Sequence, residues 1–344
     1  MILIRTDANE TIATGHVMRC LSIAKALVKQ GNTVKFVVAD HHPEQLIIEN
    51  GFEVICLNSV WDNLEVELER FVEVIKSEKV SMLLIDTYYV TEFYLEQLRE
   101  YAKVAYIDDI ASFVYPVDLL INYNMYATEC GYEPQYKTKG LKTQFALGSS
   151  YAPLRDEFLN VYKQINNEVS KIMITSGGTD NYNVSGNLLD RLVREPWFSN
   201  MDYYVIVGKF NTNKEMLREK WAEYKNVHFL TAINNVSDYM KLCDIAITAG
   251  GVTTYELCAC GIPSIMYTMA DNQLEIARSV SERQLITWVG DIRDNMQRCM
   301  DKIVENIRIL KADVQKRKEL SIKMQDCVDG QGADRIAEAI IRIS

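Results

Sequence analysis

The residues best suited to chemistry stand near the start of the chain, in Arg5-Thr-Asp7-Ala-Asn-Glu-Thr-Ile-Ala13-Thr-Gly15-His16-Val-Met-Arg19. His16 can take or give a proton near neutral pH. It follows Gly15 at the point where an apolar strand gives way to a helix, and the free N–H groups and dipole of a helix start favour an anion. A merely polar helix start on an exposed loop would use the same residue types. The connection from Asp7 to Gly15 is nevertheless long for a compact βα unit. In an open α/β sheet, ligands bind outside the carboxyl ends of the strands, where this loop falls.

Two further turns carry paired glycines, Gly177-Gly178-Thr179-Asp180 and Gly250-Gly251-Val252-Thr253. Each lets the backbone approach a phosphate while a helix N-terminus faces it. Neither is a Walker loop or a Gly-x-Gly-x-x-Gly fingerprint. A tight βα turn and an anion site stand as alternative readings of both. Glu256 follows the second turn inside an otherwise apolar helical stretch. It could accept two hydrogen bonds from vicinal ribose hydroxyls, or it could be an exposed helix glutamate. Asp108-Asp109 make a poor cation pair, because neighbours on a strand point to opposite faces. His41, His42 and His228 have no ligand-spaced partners in the sequence and read as surface or packing residues, so no metal is expected. No Gly-x-Ser-x-Gly elbow is present.

The elements that must position these residues alternate regularly. Apolar runs at Met1–Ile4, Thr33–Ala39, Glu53–Leu57, Met82–Ile85, Val104–Ile107 and Leu119–Ile121 read as strands, separated by segments of helical period. A helix over about Leu64 to Ser77 and another over Thr91 to Tyr101, with Thr91 as N-cap, belong to this series. Asp7, Asp86, Asp108 and Asn122 then share one sheet edge. The alternation fades between Ala127 and Glu168 and resumes from Lys171, with a strand at Leu285–Trp288 near its end. The expected architecture is α/β: two doubly wound, Rossmann-like parallel-sheet domains with the ligand in the cleft between them. Residues 1–165 form the first domain and 166–325 the second, while 326–344 is a helix that could return to the first.

With 344 residues, 48% apolar and 24% charged, the chain has ordinary globular composition. Its net charge of −10 argues against nucleic acid or an anionic membrane as partner, since both demand a basic face. No apolar run approaches the ~20 residues of a membrane span, and the opening residues carry no secretory signal pattern. The eight cysteines are scattered; Cys258 and Cys260 lie in an apolar helical stretch and read as reduced core residues. A cytoplasmic location is expected, and the oligomeric state stays open.

Val227 to Pro263, with Asp244, Gly250-Gly251, Glu256 and Gly261 in their places, resembles the UDP-binding half of GT-B glycosyltransferases, above all the peptidoglycan N-acetylglucosaminyltransferases that make lipid II. The N-terminal Arg5-x-Asp7…Gly15-His16-x-x-Arg19 more specifically resembles UDP-2,4-diacetamido-2,4,6-trideoxy-β-L-altropyranose hydrolases of pseudaminic acid synthesis. Ile85-Asp86-x-Tyr88, Asn122-x-Asn124, Tyr151 to Phe158 and Gly177 to Asp180 extend that likeness over nearly the whole chain, and Asp329 to Arg335 is similar to spore-coat polysaccharide proteins. Two departures stand out. Ala13 replaces a usual glycine ahead of Gly15-His16, and Tyr89 replaces a glycine after Tyr88.

The resemblance implies hydrolysis of a UDP-linked diacetamido-trideoxy sugar without metal or cofactor, with inversion and with UDP as a product. His16 would be the base that activates water. Asp7, Gly15, Arg19, Tyr88, Arg155, Asn272 and Gln273 would contact the substrate. Gly177, Gly178, Gly250, Gly251 and Thr253 would face the diphosphate, the loop around Ile233 (Thr231–Asn234) the uracil, and Glu256 the ribose. Two alternatives remain: a glycosyltransferase in which His16 deprotonates an acceptor hydroxyl, and a non-catalytic sugar-nucleotide-binding protein.

Overall fold

The computed structural model describes residues 1–208, 211–231, 233 and 235–344. The chain forms two compact units, Met1–Asp156 with Gly330–Ser344, and Glu157–Asp329.

In the first unit the elements are β1 (Ile2–Thr6), α1 (Gly15–Lys29), β2 (Val34–Val38), α2 (Glu44–Glu49), β3 (Glu53–Cys56), α3 (Leu68–Ser77), β4 (Met82–Asp86), α4 (Glu92–Arg99), β5 (Lys103–Ile107), β6 (Leu119–Asn122), α5 (Tyr132–Thr138) and β7 (Gln144–Leu147). The strands form one sheet in the order β3-β2-β1-β4-β5-β6-β7, every pair parallel. The central strands are buried along their length, as expected for continuous apolar runs covered on both faces. The register that matters most is β1 on β4, which pairs Thr6 with Asp86. It sets the loop leaving β1 beside the end of β4, with the ends of β5 and β6 next along the same edge.

Helix α1 forms because Val17, Cys20, Leu21, Ile23, Ala24 and Leu27 recur at helical spacing, and all six are buried on its inner face. It stops where Gly31 takes φ +84°, which lets Asn32 N–H reach back to Leu27 O. A second helix, Gly332–Ile343, packs against α1. Its first residue must be glycine: a Cβ there would lie 2.1 Å from Ala152 O.

The segment expected as one helix from Leu64 is a 3-10 turn, Leu64–Glu67, followed by α3. The turn buries the Glu67 carboxylate against Arg5, Ser59 and Tyr94, and this tertiary demand breaks the regular period. Thr91 caps α4 as expected, its Oγ1 accepting from Tyr94 N at 3.1 Å. Between Ala127 and Glu168 the sequence conceals one more turn of the alternation. There α5 and the short edge strand β7 extend the sheet, with a polar residue, Gln144, opening the strand.

The second unit runs β8 (Lys171–Thr175), α6 (Val184–Leu192), β9 (Asp202–Val207), α7 (Lys214–Lys220), β10 (Val227–Thr231), α8 (Val236–Leu242), β11 (Ile245–Ala249), α9 (Thr253–Cys260), β12 (Ser264–Thr268), α10 (Leu274–Glu282), β13 (Thr287–Asp291), α11 (Ile292–Ala312) and α12 (Val314–Cys327). Its sheet has the order β10-β9-β8-β11-β12-β13, again parallel throughout. The last strand starts two residues later than its apolar pattern predicts. A turn at Gln284, with φ +55°, closes α10 first, and the register against β12 shifts between Met266 and Thr268. Cys258 and Cys260 are fully buried in α9, as read from the sequence. Among the described residues, no helix is long and apolar enough to cross a membrane.

Candidate active site

His16 is the second residue of α1 and is almost fully buried. Its Nδ1 lies 2.7 Å from Asp86 Oδ1, at the end of β4. A carboxylate oxygen only accepts, so this contact holds in the tautomer with the proton on Nδ1, which leaves Nε2 as the proton acceptor; Arg19 Nη2 also approaches Nδ1, at 3.0 Å. The Tyr88 ring stands edge-on to the imidazole, centroids 4.6 Å apart. The arrangement is a histidine oriented by a buried acid, a geometry that general-base chemistry can use.

Asp86 is held in turn by Arg19, one helical turn beyond His16. Arg19 Nε donates to Asp86 Oδ2 at 2.7 Å, and Nη2 donates to Oδ1. Its Nη1 reaches Asp109 Oδ2 and Tyr123 Oη, each at 2.7 Å, and Tyr88 Oη donates to Asp109 at 3.3 Å. Burial alone would push the Asp86 carboxyl up, but the Arg19 charge and then His16 outweigh it and hold it well below the usual carboxylate range. Asp108 and Asp109 point apart as expected. Asp108 turns inward to the hydroxyls of Tyr115 and Tyr132, and Asp109 faces Arg19.

Beneath this group lies a second buried cluster. Arg5 donates to Glu67 through Nε and Nη2 at 2.7 and 2.9 Å and to Asp7 through Nη1. Asp7 spends its other oxygen on Ala39 N–H at 2.8 Å, so its carboxylate braces the ends of β1 and β2. The loop between β1 and α1 is closed locally: Asn9 Oδ1 accepts from Thr11 and Ile12 N–H, and Asn9 bridges to Ala13. Ala13 sits at φ +55°, the left-handed region that favours the glycine it replaces. Relief of that strain, roughly 1–2 kcal/mol, exceeds the added chain entropy of glycine, roughly 0.5–1 kcal/mol. Ala13→Gly is therefore expected to stabilise the protein by up to about 1 kcal/mol, read as a raised midpoint in urea unfolding.

In the second unit the two glycine turns differ. Gly177, at φ +76°, and Gly178 press against Gly208, where a Cβ would lie 2.3 Å from both of their carbonyl oxygens. The α6 start they lead to is already occupied by a carboxylate. Buried Asp180 accepts from Val184 and Ser185 N–H at 2.6 and 3.1 Å. Asp180→Ala should cost about 1–2 kcal/mol of stability, as loss of a helix cap does, measured by urea unfolding.

The start of α9, by contrast, has Val252 at its N-cap, and among the described residues that position makes no side-chain cap bond. Gly250, Gly251, Thr253 and Glu256 lie at or just before its first turn, where Thr254 Oγ1 is buried without a partner among the described residues. Gln273 comes to the same place, its Cβ 3.3 Å from where a Gly250 Cβ would be, and its Oε1 accepts from Met269 N–H at 2.9 Å. Asn272 is adjacent and exposed, in the 3-10 turn ahead of α10. Parallel pairing of β11 with β12 brings these two loops together.

Ile233 is partly buried in the loop between β10 and α8. Ala232 and Asn234, within the expected uracil loop, lie outside the described residues, and Thr231 Oγ1 accepts from Arg218 at 2.9 Å. Arg155 is half-buried at the end of the first unit's long segment. One reading is corrected: His41 does have ligand-type neighbours, Glu44 three residues on and Cys56, which the sequence keeps apart and the parallel pairing of β2 with β3 brings close. His42 pairs with Asp40 and His228 with Asp202, both at the surface.

Sequence reasoning missed Asp86 as the partner of His16, and with it Asp109 and Tyr123. A signal was available, because Asp86 ends a buried apolar strand at the same edge as Asp7.

The fold is shared with known enzymes. The crystal structure of Acinetobacter baumannii MurG superposes with a TM-score of 0.71 at 12% identity, covering 99% of each chain. Two open parallel-sheet units of this kind define a GT-B-like fold. The family model for the glycosyltransferase family 28 C-terminal domain matches residues 160–334, and the chain belongs to that family. It is 28% identical over 286 residues to an uncharacterized protein of Methanocaldococcus jannaschii, covering 80% of this chain but 57% of that protein's length. It is also 27% identical over 242 residues to UDP-2,4-diacetamido-2,4,6-trideoxy-beta-L-altropyranose hydrolase of Campylobacter jejuni, covering 70% of this chain and 81% of that one.

Proposed function

We propose that the protein hydrolyses a UDP-linked 2,4-diacetamido-2,4,6-trideoxy sugar with inversion, releasing UDP and the free sugar for nonulosonate or surface-polysaccharide synthesis. The observation that carries this reading is the pairing of His16 Nδ1 with Asp86, which leaves Nε2 to accept a proton. Nε2 takes a proton from water as the water oxygen bonds to the anomeric carbon. The bond from that carbon to the diphosphate oxygen breaks, and its electron pair leaves with UDP. The start of α9, with Gly250, Gly251 and Thr253, receives the developing negative charge, as helix N-termini do. Glu256 takes the ribose hydroxyls, Ile233 and its loop the uracil, and Asn272 and Gln273 the sugar. Tyr88 and Arg155 orient the sugar, and Gly15 leaves open space beside His16. Asp7 and Arg19 serve that site by holding β2 and Asp86 in place, and Gly177-Gly178 provide a close-packed turn. No metal or cofactor is assigned a step.

The family 28 match supports a second reading, in which the same Nε2 deprotonates an acceptor hydroxyl. The experiment that separates them is UDP release from the donor with no acceptor present, with NMR observation of the sugar's first-formed anomer. Acceptor-independent release with inversion is expected. Strict dependence on an acceptor would overturn the hydrolase reading, and retention would exclude direct attack by water.

A further inference from the structure

Away from His16, three side chains with unlike donor atoms gather at the ends of β2 and β3. His41 follows β2, Glu44 opens α2 and Cys56 ends β3. The pairing of Val38 with Cys56 fixes the strand ends side by side, and Glu44 N–H returns to His41 O at 3.3 Å as α2 begins. Cys56 Sγ lies 3.9 Å from His41 Nε2, and Glu44 Oε1 lies 2.9 Å from His41 Nδ1. One donor atom from each residue falls within 4.8 Å of the other two, and this is the one such grouping among the described residues. Asn58 Oδ1 is a further oxygen, 3.6 Å from Sγ.

We propose that His41, Glu44 and Cys56 form a surface site for a zinc-class divalent cation. The donor set argues for that class. Thiolate and imidazole favour borderline-soft ions, whereas calcium and magnesium take oxygen ligands. Bonds of roughly 2.0–2.3 Å place tetrahedral ligands roughly 3.3–3.8 Å apart. The sulfur–nitrogen distance is already close to that span, and the exposed His41 ring and the Glu44 side chain need only turn on their own bonds to close the rest. Three protein ligands leave a fourth position for water or for Asn58. A bound cation would tie the loop after β2 to the end of β3. That loop also begins with Ala39, whose N–H is held by Asp7. The inference does not depend on the reaction proposed for His16.

The test uses the full chain after chelator treatment, titrated with Co²⁺ alone. A thiolate-to-cobalt charge-transfer band should appear, saturate at one equivalent and vanish on adding Zn²⁺. Cys56→Ser should abolish the band, and His41→Ala and Glu44→Gln should each raise the half-saturating concentration at least tenfold. Loss of the wild-type band would overturn the site. So would a band undiminished in Cys56→Ser, which would assign the cation to another partly exposed thiol, Cys130 or Cys327. Unchanged affinity in both His41→Ala and Glu44→Gln would likewise overturn it, leaving only a solitary thiol.

Discussion

His16→Gln is expected to lower the rate of UDP release by on the order of 10²–10⁴, the range a positioned general base supplies. The substitution removes the proton acceptor but keeps a polar side chain of similar reach beside Asp86, so the fold should survive. Binding of UDP, read by calorimetry, should stay within a factor of two or three, because the groups assigned to UDP all lie on the second unit. A variant with near-wild-type turnover would remove His16 from the chemistry. A variant that fails to bind UDP as well would mean that the damage is structural. The comparison therefore reports on the base itself and not on the integrity of the protein.

Asp86→Asn should have an effect of similar size by a different route. An amide can donate to Nδ1 as readily as it accepts, so the imidazole can settle with its proton on Nε2, where it no longer accepts one from water. Loss of the orienting acid in a comparable histidine dyad lowers turnover by about 10⁴. The change also strips Arg19 of one of its two carboxylate counter-charges inside the protein. Breaking a buried ion pair of this kind costs up to about 3–5 kcal/mol, reduced here because Arg19 keeps Asp109 and Tyr123. The pH dependence of stability provides an independent check. Because the Asp86 carboxyl titrates well below its unfolded value, its contribution is complete above the unfolded carboxylate pKa of about 3.9. That contribution is lost progressively as pH falls below that value. Urea unfolding between pH 5 and pH 2.5 should show a shallower decline in the asparagine variant than in the wild type. Equal slopes would mean that Asp86 does not carry the charge assigned to it.

What could be read from the residues, and what could not, follows the range of the interactions. Strands β1, β4 and β5 announce themselves as apolar runs ending in acids, because burial on both faces leaves few other residue types possible. The inner face of α1 was legible for the same reason. The 3-10 turn at Leu64–Glu67 was not, since it exists to deliver Glu67 to Arg5, a contact spanning 62 residues. Strand β7 escaped because an edge strand needs little apolar sequence. At the site, His16 was visible from its place at a βα junction. Its dependence on Asp86 was hidden, because that contact is created by strand order and register between partners 70 positions apart. The difference between the glycine turns was equally out of reach. Both admit a tight turn or an anion site, and only the three-dimensional arrangement shows that Asp180 fills the start of α6.

The packing of the helix Gly332–Ile343 against α1 has a consequence for how changes far along the gene would be felt. The second unit is encoded entirely between the two segments that make up the first. A stop codon a few positions before Gly332 would leave the second unit's own strands and helices written in full. It would nonetheless uncover the back of the helix that presents His16. A lesion there would then register as a defect at His16, encoded more than three hundred codons upstream.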